Sequence, residues 1–219
     1  MPDCDCGDAF RDFDEKTARR ELADYRFSGP DRSTRLLLEL IEAERGDAAT
    51  LLDIGGGVGA LHHELLAAGF ASATDVDGSA AFVAASQDEA ERRGHAARLI
   101  YRQGDFVRLA EEIEAADVVT LDRVICCYPD MPTLVSLSAA RARRLYGLVH
   151  PRDDWWMRAI VSLPNLLARL FRRQPIYLHR TQDVHRAVEA EGLRLRAERR
   201  TFAWHVSLWT RSAPAIEVS

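Results

Sequence analysis

The sequence predicts an α/β fold: a doubly wound, mostly parallel sheet with an antiparallel last strand, preceded by a helical extension. From residue 50 onward, short apolar runs typical of buried strands alternate with helical patterns. Parallel strands need such helical crossovers, which cover both faces of the sheet. The last two strands, between 193 and 211, have only a tight connection and must pair antiparallel. The 219 residues suffice for one well-buried domain.

The N-terminal extension is predicted to contain two helices, over 10–24 and 31–45. The turn Ser28-Gly29-Pro30 separates them, because glycine and proline interrupt helices. We interpret residues 1–46 as a tail and helical lid, and residues 47–219 as one globular unit.

Five strands are predicted before the terminal pair, each followed by a segment of helical character. The strands are expected at 50–54, 72–77, 97–105, 117–125 and 145–150. Helices are expected at 58–68, 79–93, 107–113, from Asp130 onward, within 154–173 and at 181–191.

Composition argues against several classes of protein. The formal net charge of −5 and the pI of about 5.8 do not indicate a nucleic-acid partner. No apolar run approaches the roughly 20 residues of a membrane span, and the N-terminus lacks signal-peptide character. Arginine strongly outnumbers lysine, which indicates a GC-rich bacterial genome. We therefore expect a cytoplasmic bacterial enzyme that acts on a small molecule; the oligomeric state stays open.

The four cysteines predict neither disulfides nor a metal site. Cys4 and Cys6 form a C-x-C pair, and Cys126 and Cys127 are adjacent. Neither spacing is that of a zinc site, and a reducing compartment disfavours disulfides.

A glycine-rich turn follows the first predicted strand and opens a helix. Gly55, Gly57 and Ala60 satisfy G-x-G-x-x-G/A, and Gly56 and Gly59 add further glycines. Glycines let the backbone turn tightly and let a ligand approach without a Cβ clash. The turn therefore predicts a nucleotide-type binding site.

Asp53 decides between the ligands that such a turn can hold. A carboxylate two residues before the glycines would repel the pyrophosphate of NAD or FAD but attract an ammonium group. S-adenosylmethionine (SAM) carries an ammonium and a sulfonium and no phosphate, so the sequence favours SAM. Asp77, about twenty residues past the glycines, is expected to accept the ribose hydroxyls, with Asp75 as the alternative.

Further polar groups end the third and fourth strands. Asp105 is expected to accept from the adenine amine and Phe106 to lie against its ring, although Asp105 also suits a helix cap. Asp122 and Tyr128 follow the fourth strand. Ligands of open α/β sheets bind at the carboxyl ends of the strands, so all these segments should share one crevice.

These motifs resemble those of class I SAM-dependent methyltransferases, in the family's order. The resemblance rests on LLDIGGGVGALHHELLAAG, ATDVDGS, GDF and LDRVICCYP and covers roughly residues 48–212. It implies a seven-stranded sheet, with Asp53, the glycine turn, Asp77, Asp105, Phe106 and Asp122 around the cofactor.

A narrower resemblance is to magnesium-protoporphyrin IX O-methyltransferases. It rests on YRFSGPDRSTRLLLELI, YPDMPTLVSLSA and IYLHRTQDVHRAVEAEGLRL. There the first stretch, around Tyr25, lies over the active site as a lid. Those enzymes carry a histidine before Tyr-Pro, where this chain has Cys127 before Tyr128, so the resemblance leaves the substrate open.

We expect direct in-line transfer of a methyl group to an oxygen of a small molecule. A hydroxyl acceptor would need a base near Tyr128, and His179 is the leading residue, although a structural histidine is an equal alternative. Tyr25 is a further catalytic expectation from the lid. An NAD(P)-dependent oxidoreductase and a SAM-binding protein without catalysis remain the alternatives.

Overall fold

The computed structural model describes residues 14–170 and 175–211. Seven strands form one sheet in the order β3-β2-β1-β4-β5-β7-β6. Strands β1 to β5 pair in parallel, and β7 runs antiparallel to both β5 and β6. The strands are β1 (Thr50–Ile54), β2 (Ser72–Asp77), β3 (Leu99–Gln103), β4 (Ala116–Asp122), β5 (Ala142–Pro151), β6 (Leu193–Arg200) and β7 (Trp204–Arg211).

Helices cover both faces of the sheet, as the alternating pattern predicts. They are α1 (Glu15–Ser28), α2 (Arg32–Glu44), α3 (Ala60–Ala67), α4 (Ala80–Arg93), α5 (Phe106–Leu109), α6 (Met131–Ala140), α7 (Trp155–Leu170) and α8 (Thr181–Ala190). No helix within the described ranges is long and apolar enough to cross a membrane.

The predicted fold class is confirmed, and the differences concern boundaries. Helix α1 continues to Ser28 and ends at Gly29, whose N–H donates to the carbonyl of Tyr25. Strand β4 ends at Asp122 rather than at 125, and the chain then forms a short 3₁₀ turn over Ile125–Cys127. Strand β5 begins at Ala142, because alternation along its arginine-rich start keeps Ala142 buried and Arg143 exposed.

The core lies on the two faces of the sheet, with a smaller cluster beneath the N-terminal extension. One face packs residues of α5, α6 and α8 on the sheet, and the other packs α2 and α3. The smaller cluster holds α1 against α4 through Leu22, Tyr25 and Phe82. The predicted lid helices are thus fixed in part by apolar packing.

Candidate active site

The carboxyl ends of β1 to β4 surround a cavity of about 300 Å³. Right-handed crossovers bring these strand ends to one edge of the sheet, where open α/β folds bind ligands. Most of the residues that the sequence assigns to the site line this cavity. They are Asp53, Gly55, Gly56, Gly57, Asp77, Asp105, Phe106, Asp122 and Tyr128. The structure therefore brings together the segments that the sequence assigns to one crevice.

The glycine turn joins β1 to α3 along the cavity wall. Gly57 has a φ of +57°, and a Cβ there would meet no protein atom closer than 3.6 Å. A Cβ on Gly56 would instead lie 2.5 Å from an oxygen of Asp75, so glycine is required there by packing. Gly59, at φ +83°, is the N-cap residue of α3 and is not among the residues that line the cavity. It serves the turn rather than the wall of the site.

The Asp53 carboxylate is buried and held from two sides. The Thr120 hydroxyl donates to Oδ1 at 2.8 Å, and His62 Nδ1 lies 2.9 Å from Oδ2. His62 is itself fully buried, as is the neighbouring His63. Asp53 lines the cavity with its orientation fixed by these partners, and each oxygen retains a second lone pair.

Asp75, the alternative ribose residue, lies beneath the glycine turn instead of in the cavity. Its side chain is fully buried, and neither oxygen has a hydrogen-bond partner among the described residues. Burial, and next the nearby Asp53 and Asp77, raise the pKa of Asp75 well above its usual range. The group is thus stabilised in its neutral form, and Asp77 is the carboxylate that faces the site.

Asp77 connects the end of β2 to the turn and to α4. Its Oδ2 accepts from the Gly57 N–H at 3.0 Å, and its Oδ1 accepts from the Ser79 N–H at 2.8 Å. Burial raises the pKa of Asp77, while these two hydrogen bonds act in the opposite direction. The carboxylate is therefore placed before any ligand arrives.

Asp105, Phe106 and Tyr128 form another part of the cavity wall. Asp105 caps α5 by accepting from the Val107 N–H at 3.0 Å, so the cap expected as an alternative is present. The Tyr128 hydroxyl donates to Asp105 Oδ2 at 3.2 Å. Phe106 is buried and lines the cavity. Asp105 therefore caps α5 and lines the cavity at the same time.

Asp122 is the last residue of β4 and Arg123 follows it; both line the cavity. Arg123 has a φ of +64°, the only positive φ outside glycine among the described residues. Such backbone strain is concentrated at functional sites. Asp122 Oδ1 lies 3.3 Å from the Arg123 guanidinium but accepts no hydrogen bond, and burial raises the pKa of Asp122.

Sequence reasoning missed three residues that line this end of the cavity. Arg123 also pairs with Asp31, just before α2, and Glu21 comes from α1. Cys127 also lines the cavity. The departure from the His-Tyr-Pro pattern marked Cys127, but no local signal marked Glu21. Cys4 and Cys6 lie outside the described residues.

Tyr25, which the sequence predicts to be catalytic, lies outside the cavity wall. It is 5% exposed and donates from its hydroxyl to Glu64 at 2.7 Å. Burial, followed by this hydrogen bond, raises the pKa of its phenol. The neighbouring Arg26 pairs with Asp88 and Glu89. This part of α1 is therefore packed against α3 and α4.

His179 also lies outside the cavity wall, and the structural alternative describes it better than catalysis does. Its Nε2 is 2.9 Å from the Ile125 carbonyl and 3.2 Å from the Tyr128 carbonyl, so it donates to the 3₁₀ turn. A nitrogen that donates to carbonyls carries a proton and is not a base at that atom. His179 positions the turn that carries Cys127 and Tyr128.

Comparisons with known proteins agree with this architecture. A family model described as a methyltransferase domain matches residues 52–144. No functionally curated protein matches the sequence.

Several solved structures share the fold at low sequence identity. One is a magnesium protoporphyrin IX methyltransferase from Synechocystis PCC 6803 with bound S-adenosylhomocysteine (TM-score 0.68, 19% identity, 91% of this chain and 100% of that chain). Another is an O-methyltransferase family protein from Burkholderia thailandensis (0.68, 17%, 83% and 57%). A third is a geranyl diphosphate C-methyltransferase from Streptomyces coelicolor (0.64, 13%, 81% and 77%).

Proposed function

We propose that the chain is a class I SAM-dependent methyltransferase that methylates an oxygen atom of a small-molecule acceptor by direct in-line displacement, which the matching methyltransferase-domain model and the shared fold support. The convergence of the glycine turn, Asp77 and the Asp105–Phe106 pair on one cavity carries this proposal. Relatives of this fold act on different acceptors, so the acceptor is argued from this chain's own cavity.

The acidic surroundings of the turn support SAM over a dinucleotide. Asp53, Asp75 and Asp77 lie side by side where β1 and β2 end, and two of them line the cavity. A pyrophosphate in the same place would face this carboxylate cluster. In our proposal the Gly55–Gly57 backbone and Asp53 hold the amino-acid part of SAM. Asp77 accepts the ribose hydroxyls, and Asp105 and Phe106 hold the adenine.

The residues that line the cavity where β4 ends support an oxygen acceptor. SAM, when bound, supplies a methyl group already activated on a sulfonium, and S-adenosylhomocysteine is its product. Holding the acceptor in line supplies roughly 7–11 kcal/mol of the barrier through proximity and orientation. Arg123 lines the cavity with its charge shared between Asp31 and Asp122, and a carboxylate acceptor needs no base.

For a hydroxyl acceptor, Asp122 is the base in our proposal. The C–O bond forms as the C–S bond breaks, and the hydroxyl proton passes to Asp122 Oδ1. This oxygen accepts no hydrogen bond, and burial raises the pKa of its carboxyl toward the range useful for proton transfer. The backbone turn held by His179 carries Tyr128, which lines the same cavity.

Transfer of a radiolabelled methyl group from SAM tests the proposal. The acceptor panel contains phenols, carboxylic acids including a porphyrin propionate, and amines. We expect label in phenols or acids, with Asp122→Asn slowing hydroxyl acceptors at least 100-fold, a typical contribution of general-base catalysis. Asp47→Asn, at an exposed carboxylate that pairs with Arg144 outside the cavity, is the matched control.

Two results would contradict the proposal. Label that enters only amines would exclude an oxygen acceptor. Binding of S-adenosylhomocysteine without transfer to any acceptor would favour a SAM-binding protein without catalysis.

A further inference from the structure

Two histidines and a glutamate converge at the β7–β6 edge of the sheet, outside the cavity described above. His185 lies on α8, Glu198 on β6 and His205 on β7. One ligand atom of each lies within 4.8 Å of the other two. None of the three lines the cavity, so the cluster has no part in the proposed methyl transfer.

The distances within this His–Glu–His cluster fit coordination to a common ion. Glu198 Oε1 lies 3.3 Å from His185 Nε2 and 3.2 Å from His205 Nε2. Ligands at about 2.05 Å from a tetrahedral zinc ion are about 3.3 Å apart along each edge. The carboxylate thus lies at the separation from each imidazole that such an ion imposes, and a ring nitrogen of each histidine lies within 4.8 Å of the other.

Hydrogen bonding does not account for these short separations. The Nε2 atoms of His185 and His205 are both buried, and neither has a hydrogen-bond partner among the described residues. The side chain of His205 is only 2% exposed, so its Nε2, which makes no hydrogen bond, carries a desolvation cost.

The surroundings hold the cluster in place while leaving it an opening. The His185 ring packs edge-on against Trp209 at 4.8 Å between centroids, and His205 packs against His150 at 5.0 Å. The side chains of His185 and Glu198 are 22% and 30% exposed. An ion here would have three protein ligands and one position open to water.

We propose that His185, Glu198 and His205 form a binding site for a divalent transition-metal ion of the zinc class. The ion joins α8 to the β6–β7 hairpin. Imidazole nitrogens with one carboxylate oxygen form a donor set that zinc commonly takes. The ligands come from three separate elements, which explains why no short sequence motif marks the site.

Zinc titration of the full chain by calorimetry tests this proposal. The background carries Cys4→Ser and Cys6→Ser, since these thiols could bind zinc themselves, and is stripped with a chelator before titration. We expect one zinc ion per chain and a higher melting temperature with zinc. Bound Co²⁺ should show absorption from nitrogen and oxygen ligands without a thiolate charge-transfer band.

Two ligand variants and one control make the assignment specific. Glu198→Gln and His185→Gln should each lower zinc affinity at least about 100-fold, since loss of even an outer-shell partner costs 10- to 100-fold. Asp183→Asn removes an exposed carboxylate of α8 that pairs with Arg186 and should bind zinc like the parent.

Every variant should still bind S-adenosylhomocysteine, which separates this proposal from the proposed methyl transfer. Absence of a saturable site in the parent would overturn the metal site. Unchanged zinc affinity in both ligand variants would do so as well.

Discussion

Replacement of Gly57 by alanine separates the backbone role of the glycine turn from its role in the cavity. Gly57 has a φ of +57°, so any Cβ adds strain, but the nearest protein atom would be 3.6 Å away on Phe82. The added methyl group therefore takes its space from the cavity and not from the core. Gly94 is the matched control: its φ is +71°, a Cβ there meets nothing within 4 Å, and it lies outside the cavity wall.

The structure gives the size of both effects. Left-handed backbone costs a non-glycine residue about 1–2 kcal/mol. At about 2–4 °C per kcal/mol for a domain of this size, both variants should melt about 2–8 °C lower. A methyl group forced into a packed contact costs about 1–3 kcal/mol, so Gly57→Ala should bind S-adenosylhomocysteine roughly 5- to 150-fold more weakly.

Calorimetric titration with S-adenosylhomocysteine, alongside thermal melts, measures both quantities. Gly94→Ala should show the loss of stability with unchanged affinity. Wild-type affinity in Gly57→Ala, or an equal loss of affinity in Gly94→Ala, would refute the placement of Gly57 against the ligand.

Three further variants test the packing around the site. Tyr25→Phe removes the hydrogen bond to Glu64 and should cost about 1.5–3 kcal/mol of stability in denaturant melts while leaving methyl transfer unchanged; a large loss of turnover would restore a catalytic role. Asp75→Asn should become increasingly more stable than wild type as the pH rises above about 4, because the raised pKa of Asp75 means that folding opposes its ionisation; equal pH dependence in urea melts would contradict this. His179→Gln keeps a donor toward the Tyr128 carbonyl, so it should retain more turnover than His179→Ala and show the same pH profile as wild type. If His179 were the base, both variants would instead lose the acidic limb of the pH profile.

The sequence predicted the parts of the fold and site that depend on local pattern. Strands β1 and β2 have the predicted bounds, because their short length and the turn residues that flank them favour buried strands over helices. The carboxylates Asp77, Asp105 and Asp122 follow strand ends, and parallel topology alone brings such ends together. These predictions needed only the order of the residues along the chain and the parallel arrangement of the strands.

Features that depend on contacts between distant segments escaped prediction. Whether Tyr25 faces the cavity or α3 is decided by apolar packing of α1 on α4, which the α1 sequence does not encode. His179 likewise looks like a base until the carbonyls of Ile125 and Tyr128 are seen beside it. Arg123 gave no signal, because its left-handed backbone follows from the turn after β4.

The central claim is that the cavity holds SAM, and ligand-induced thermal stabilisation tests it most directly. At one hundred times its dissociation constant, S-adenosylhomocysteine should add about 2.7 kcal/mol of stability, or about 5–11 °C. Asp77→Ala, which removes the carboxylate beside the glycine turn, should abolish the shift. We expect S-adenosylhomocysteine to raise the melting temperature and NADH to leave it unchanged. Stabilisation by NADH alone would contradict the central claim.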